Sequence, residues 1–163
     1  MSFFEEKNPE MDRYLETHAS AEPEILKKLR RETYQKTTQP HMISGYQQGR
    51  LLTIISQMMK PENVLEIGTF TGYATLCLAS GISENGRITT LDITEDLAYL
   101  PKKYFAESEH SSQIDFRLQD AKEFLKANPG KRAAVIAVES PTATFQLNDY
   151  SMANVVSAAI FGD

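Results

Sequence analysis

The chain has 163 residues, a single cysteine and a formal net charge of −5, with 41% hydrophobic and 24% charged residues. That length sets one domain with a real core. The acidic balance, with a pI near 5.3, argues against nucleic acid or an anionic membrane surface as partner. The lone Cys77 rules out an internal disulfide and suits the cytoplasm. No apolar run approaches transmembrane length, and the Met-Ser-Phe-Phe-Glu-Glu start is not a signal peptide.

In chain order, residues Glu10 to His18 and Pro23 to Thr37 read as two surface helices, with Pro23 in the first turn of the second. The run Lys27-Lys28-Leu29-Arg30-Arg31-Glu32 reads as a solvated helix face. Leu51, Ile54, Ile55 and Met58 recur at helical spacing and are expected to face a sheet. Pro61-Glu62-Asn63 ends that helix before a first strand, Val64 to Ile67. A crossover helix, Ala74 to Ser80, contains Cys77 among apolar neighbours, which makes it core filler, and Gly81 stops it. Arg87 to Asp92 is a second strand, and Glu95 to Glu109 a helix with Pro101 as an expected kink. Ile114 to Leu118 is a third strand and Ala121 to Ala127 a short helix, broken by Asn128-Pro129-Gly130. Ala133 to Val138 is a fully apolar fourth strand, and Tyr150 to Phe161 a final apolar helix.

The stretch Val64-Leu65-Glu66-Ile67-Gly68-Thr69-Phe70-Thr71-Gly72-Tyr73 carries the chemistry, together with Leu91-Asp92-Ile93. Gly68 and Gly72 allow a tight turn and a close approach to a ligand. The helix opening near Tyr73 offers unpaired N–H groups. Asp92 ends the second strand, about 20 residues on, where a carboxylate accepts ribose hydroxyls. A dinucleotide site prefers G-x-G-x-x-G. Here the spacing is E-x-G-x-x-x-G, and Phe70 fills the middle, which argues against a pyrophosphate. Glu66 would repel phosphate and suit a cation. The ligand implied has a ribose, a positive end and no phosphate, which fits S-adenosylmethionine. The competing reading is a glycine turn in an ordinary α/β domain.

From about Tyr14 to Phe124 the chain resembles the small class I O-methyltransferases of the caffeoyl-CoA and catechol type. The resemblance rests on His41-Met42-Ile43-Ser44-Gly45, Gln48-Gly49-Arg50-Leu51-Leu52, Val64 through Tyr73, Ile88-Thr89-Thr90-Leu91-Asp92, Ile114-Asp115-Phe116-Arg117 and Asp120-Ala121. It implies that Met42 and Ser44 lie near the methionine end of S-adenosylmethionine. Glu66, Gly68, Thr69 and the helix start at Gly72, Tyr73 and Ala74 would hold its amino-acid part. Asp92 would take the ribose, and Asp120 and Ala121 would border the adenine. Ala74 stands where that family has a serine. The family's Asp-rich motif after the fourth strand, and the later Asp-Asn pair that completes its metal site, are missing. Only Glu139 could offer an oxygen there, and one carboxylate does not make a Mg²⁺ or Ca²⁺ site. The strands that complete that family's sheet are missing too.

The tail resembles an internal segment of type III polyketide synthases of the chalcone-synthase type. The residues are Pro129-Gly130-Lys131-Arg132 to Val138-Glu139, Thr144-Phe145-Gln146, Asn148-Asp149-Tyr150-Ser151, Ala153-Asn154-Val155-Val156 and Ala159-Ile160-Phe161-Gly162-Asp163. That family's catalytic residues lie outside the segment, so condensing chemistry does not carry over. The chain thus reads as a single domain with a methyltransferase-like part, residues 1–126, and a strand–helix tail of different origin, residues 127–163, as in a chimera; a natural origin stays open.

The expected fold is α/β, a Rossmann-like three-layer sandwich of the methyltransferase type. Its truncated parallel sheet has order 3-2-1-4, with helices at the N-terminus. The expected function is methyl transfer from S-adenosylmethionine to a small hydroxylated, catechol-like acceptor. His41 is the candidate general base, and Tyr46 and Tyr73 are candidate walls. The alternative is an inactive module that binds the cofactor or its product. The uncovered edge of the fourth strand predicts a homodimer.

Overall fold

The computed structural model describes residues 9–130 and 134–137. Four parallel strands form one sheet in the order β3-β2-β1-β4, with β1 Asn63–Ile67, β2 Arg87–Asp92, β3 Ile114–Leu118 and β4 Ala134–Ala137. The register runs Val64 beside Ile88 and Ala134, and Ile88 beside Ile114. This is the expected order. Short apolar strands separated by crossovers pair in parallel, and right-handed connections leave few ways to arrange them. Residues 133 and 138, expected to extend β4, lie outside the described residues, as do the helix expected at 150–161 and Glu139.

Alternation along the strands divides the core. Val64 and Ile88 face Leu78 and Ala79 of helix α4, Tyr73–Ala79. Leu65, Ile67 and Leu91 face Ala121, Phe124 and Leu125 of helix α6, Ala121–Ala127, on the other side. Helix α5, Tyr99–Glu107, shares the α4 side through Leu100, Tyr104 and Phe105. Helix α2, Glu24–Lys36, covers that layer with Leu26 and Leu29, and α1, Pro9–His18, precedes it. The result is a three-layer arrangement.

Helix α3, Tyr46–Met59, departs from expectation. Its apolar stripe does not face the sheet: Leu51, Ile54, Ile55 and Met58 are 38–80% exposed. The buried face is instead Gly49, Thr53 and Ser56. Small residues let α3 approach α4 closely, and the two hydroxyls donate to the Cys77 and Leu78 carbonyls at 3.2 and 2.7 Å. A side chain at Gly49 would meet the Tyr73 ring at 2.7 Å.

Three smaller expectations change. Pro23 is the N-cap of α2 rather than a member of its first turn. Pro101 lies in the first turn of α5, where a missing N–H costs no helical bond, so it makes no kink. The charge run in α2 is only partly a solvated face. Arg30 holds Glu22 at 2.7 Å, and Glu32 accepts from Lys103 at 2.6 Å and from the Tyr104 hydroxyl at 2.7 Å.

Candidate functional site

The site lies at the carboxyl ends of β1 and β2. Gly68 and Gly72 both take left-handed φ angles, 94° and 91°. Between them Phe70 also has a left-handed φ, 48°, a conformation that costs a bulky residue about 1–3 kcal/mol. Asp92 offsets that cost: its Oδ2 accepts the Phe70 N–H at 2.7 Å, while Oδ1 accepts the Thr94 N–H at 2.8 Å. The loop is tied to β2 a second time, because the Gly68 and Thr69 N–H groups both donate to the Leu91 carbonyl.

This loop walls a cavity of about 580 Å³, within the usual range of small-molecule sites. Of the residues expected from the sequence, Met42, Ser44, Gly68, Thr69, Tyr73, Ala74 and Asp92 line it. The structure adds Phe70, Thr94, Asp96 and the segment from Lys36 to Gln39. Thr94 and Asp96 follow Asp92 closely, so proximity in sequence could have found them. Lys36 ends α2 and Thr37 to Gln39 follow it, and none carries a local signal. Their place comes from how α2 packs.

Several expected residues do not reach the cavity. Gly72 shapes the turn from behind, packed so that a Cβ would sit 2.6 Å from the Phe105 ring. Asp120 is the N-cap of α6, its Oδ1 accepting the Lys122 and Glu123 N–H groups at 2.8 and 3.1 Å. Ala121 is buried against Leu65, Ile67 and Leu91. His41 sits in a short 3₁₀ turn, Pro40–Met42, with its side chain exposed and outside the cavity lining. Tyr46 also lies elsewhere, on a second cavity. Tyr73 does wall the first cavity, with its hydroxyl donating to Glu22 at 2.7 Å.

Glu66 departs from the expected cofactor contact. It is fully buried and is not part of the lining. Its side chain points toward α4, where the Thr75 and Thr90 hydroxyls both donate to Oε2 at 2.5 Å. Thr90 spends its one proton on Glu66, so the 2.6 Å contact with Thr69 runs from the Thr69 hydroxyl. Thr69 thus links the cavity wall to a carboxylate beneath it, whose Oε1 has no partner among the described residues. Burial dominates here. It raises the Glu66 carboxyl from 4.5 to about 7, against the two threonine hydrogen bonds, and Asp92 adds a small push the same way.

The folded chain holds the Glu66 proton more tightly than the unfolded chain does, so this group makes folding less favourable as pH rises from about 4.5 to about 7. The full loss is about 3 kcal/mol, reached above the folded value. Glu66→Gln keeps the shape of the neutral acid and cannot ionise, so it should flatten this part of the profile and stabilise the fold at pH 8. Urea melts of both proteins between pH 5 and 8 check this; parallel profiles would contradict it.

A family model described as O-methyltransferase matches residues 16–132. The chain belongs to the O-methyltransferase family. Among related proteins, catechol O-methyltransferase domain-containing protein 1 of Mus musculus is 32% identical over 116 residues, which cover 71% of this chain and 44% of that one. Caffeoyl-CoA O-methyltransferase of Stellaria longipes is 33% identical over 104 residues, covering 61% and 41%. The chain spans about two fifths of the length of these relatives. Among solved structures, the SAH-bound methyltransferase PaMTH1 of Podospora anserina superposes with a TM-score of 0.74 at 21% identity, covering 85% of this chain and 60% of that one. The O-methyltransferase TomG of Streptomyces achromogenes, in complex with SAM, gives 0.71 at 24% identity, covering 80% and 60%. These likenesses show the same fold.

Proposed function

We propose that the first cavity binds S-adenosylmethionine and its product S-adenosylhomocysteine, and that the chain is the cofactor-binding part of a protein that methylates a small hydroxylated, catechol-like acceptor. The observation that carries this reading is Asp92, on the cavity wall and fastened to the glycine loop through the Phe70 N–H. Each of its carboxylate oxygens keeps a lone pair for a ribose hydroxyl. PaMTH1 is SAH-bound and TomG is in complex with SAM, which supports the choice of cofactor. The bound cofactor would supply an electrophilic methyl group on a sulfonium. The chain's residues orient it: Asp92 holds the ribose, Gly68 and Thr69 let the backbone approach, and Met42 and Ser44 close the opposite wall.

Among the described residues no three His, Cys, Asp or Glu side chains converge as a cation site, and the stretch after the fourth strand, including Glu139, lies outside them. With His41 outside the lining, no histidine of the described residues is placed as a base in the cavity. The second reading is a module that binds the cofactor without turning it over. Calorimetric titration with S-adenosylmethionine, with and without Mg²⁺, tests the first claim: equal one-site binding in both is expected, and absence of binding refutes it. Methyl transfer to a catechol should be very weak and insensitive to EDTA; robust turnover that EDTA abolishes would refute that.

We further read residues 1–126 as the cofactor-binding part and 127–163 as a tail of separate origin. The location is cytoplasmic. The homodimer forms through the outer edge of β4. Support comes from the position of β4 at the end of the sheet among the described residues. A sedimentation profile that stays monomeric at high concentration would exclude the dimer.

A further inference from the structure

Each polar group of Thr69 has a partner inside the protein. Its N–H donates to the Leu91 carbonyl at 3.2 Å, its carbonyl accepts the Gly72 N–H at 2.8 Å, and its hydroxyl donates to Thr90 at 2.6 Å. The side chain is buried, so Thr69 acts in the glycine loop as an anchor driven into the sheet. The hydroxyl link is the one that leads to a charge. Thr90 on β2 and Thr75 on α4 are both fully buried, and both donate to Oε2 of Glu66. A hydroxyl has one proton to give, so the chain runs in one direction, from Thr69 to Thr90 to Glu66.

A buried carboxyl is costly to keep without a cation beside it. Glu66 has no ion pair among the described residues, and it does not line the cavity. Its effect on a ligand therefore runs through its neighbours. Hydrogen bonds to an ionised acceptor are stronger than those to a neutral one, and in a dry interior each link polarises the next. Few other groups bear on Glu66. α4 adds the Cys77 thiol, which burial pushes up to about 12 and keeps neutral. β2 adds Asp92 at its end. β4, paired with Glu66 at Ile136, has no ionisable residue from 134 to 137, and α6 packs on the opposite face of the sheet.

We propose that Glu66 is a positioning residue: through Thr90 it holds Thr69, and with it the loop from Gly68 to Gly72, in the shape that receives the cofactor. This rests on the cofactor reading above. Glu66 itself does not touch the cofactor. Ionised, it draws the two hydroxyl donors more tightly than when neutral. The loop therefore firms as pH rises, while the fold as a whole loses stability over the same range.

Thr90→Val keeps the shape of the side chain and removes the hydroxyl; Thr90→Ser restores it. Calorimetry with S-adenosylhomocysteine and amide exchange on the free chain are the two measurements, with circular dichroism to establish folding. Thr90→Val should bind about tenfold more weakly and exchange the Thr69 N–H about tenfold faster, while Val64 and Ile88 keep their protection. Thr90→Ser should recover most of both. Between pH 5 and 8 the affinity of the unaltered chain should rise relative to that of Glu66→Gln, which cannot ionise. Should Thr90→Val not fold, Thr69→Val cuts the same link from the loop side and should show the same two losses. Equal affinity and equal exchange in Thr90→Val, no recovery in Thr90→Ser, or parallel pH profiles for the unaltered chain and Glu66→Gln would overturn the proposal. If S-adenosylhomocysteine binds no form of the chain, the cofactor reading fails, and exchange of the Thr69 N–H alone then upholds or overturns the hold of Glu66 on the loop.

Discussion

Gly81→Ala should destabilise the fold by about 3 kcal/mol or more, at or beyond the upper end of ordinary overpacking. Gly81 is buried just beyond the end of α4, where α3 crosses it. A Cβ there would lie 2.3 Å from the Gln57 backbone nitrogen and 2.5 Å from the Ser56 carbonyl carbon. Both are backbone atoms of a helix, so no rotamer can relieve the clash. The whole of α3 must move, and with it the Ser56 hydrogen bond to the Leu78 carbonyl. The melting temperature should fall by roughly 6–12 °C for a chain of this size. Urea denaturation measures the effect directly, and a change below about 1 kcal/mol would mean that α3 is less firmly seated than the structure indicates.

Asp92→Ala should weaken binding of S-adenosylmethionine by about a hundredfold or more. Two hydrogen bonds to a charged acceptor are lost, each worth roughly 1.5–3 kcal/mol at most, and 1.4 kcal/mol is about tenfold in affinity. The same change removes the acceptor that holds the Phe70 and Thr94 N–H groups, so the loop loses its pre-organisation as well. Asp92→Asn keeps an acceptor for one of these groups and should fall between the two. Calorimetry separates them, and an unchanged affinity for Asp92→Ala would place the ribose elsewhere.

The amino-acid sequence by itself determined the βαβ unit, the sheet order and the core of the candidate site. Apolar runs punctuated by glycine and proline admit few parallel arrangements. Gly68 and Gly72 occupy left-handed positions that other residues adopt only under strain, so their spacing was legible. Asp92 was legible because a strand end has a definite place in such a fold. Periodicity, however, says that a helix has an apolar face and not what that face meets. In α3 the small residues Gly49, Thr53 and Ser56 chose the contact with α4, and the larger apolar stripe was left outside. The same limit applies to Glu66. Its strand position showed a carboxylate at the edge of the site, but only the tertiary structure decided that it points down to Thr75 and Thr90 rather than up to a ligand. The cavity walls from Lys36 to Gln39 and the glycine loop join segments distant in sequence. Such surfaces arise from packing between elements, which no local pattern encodes.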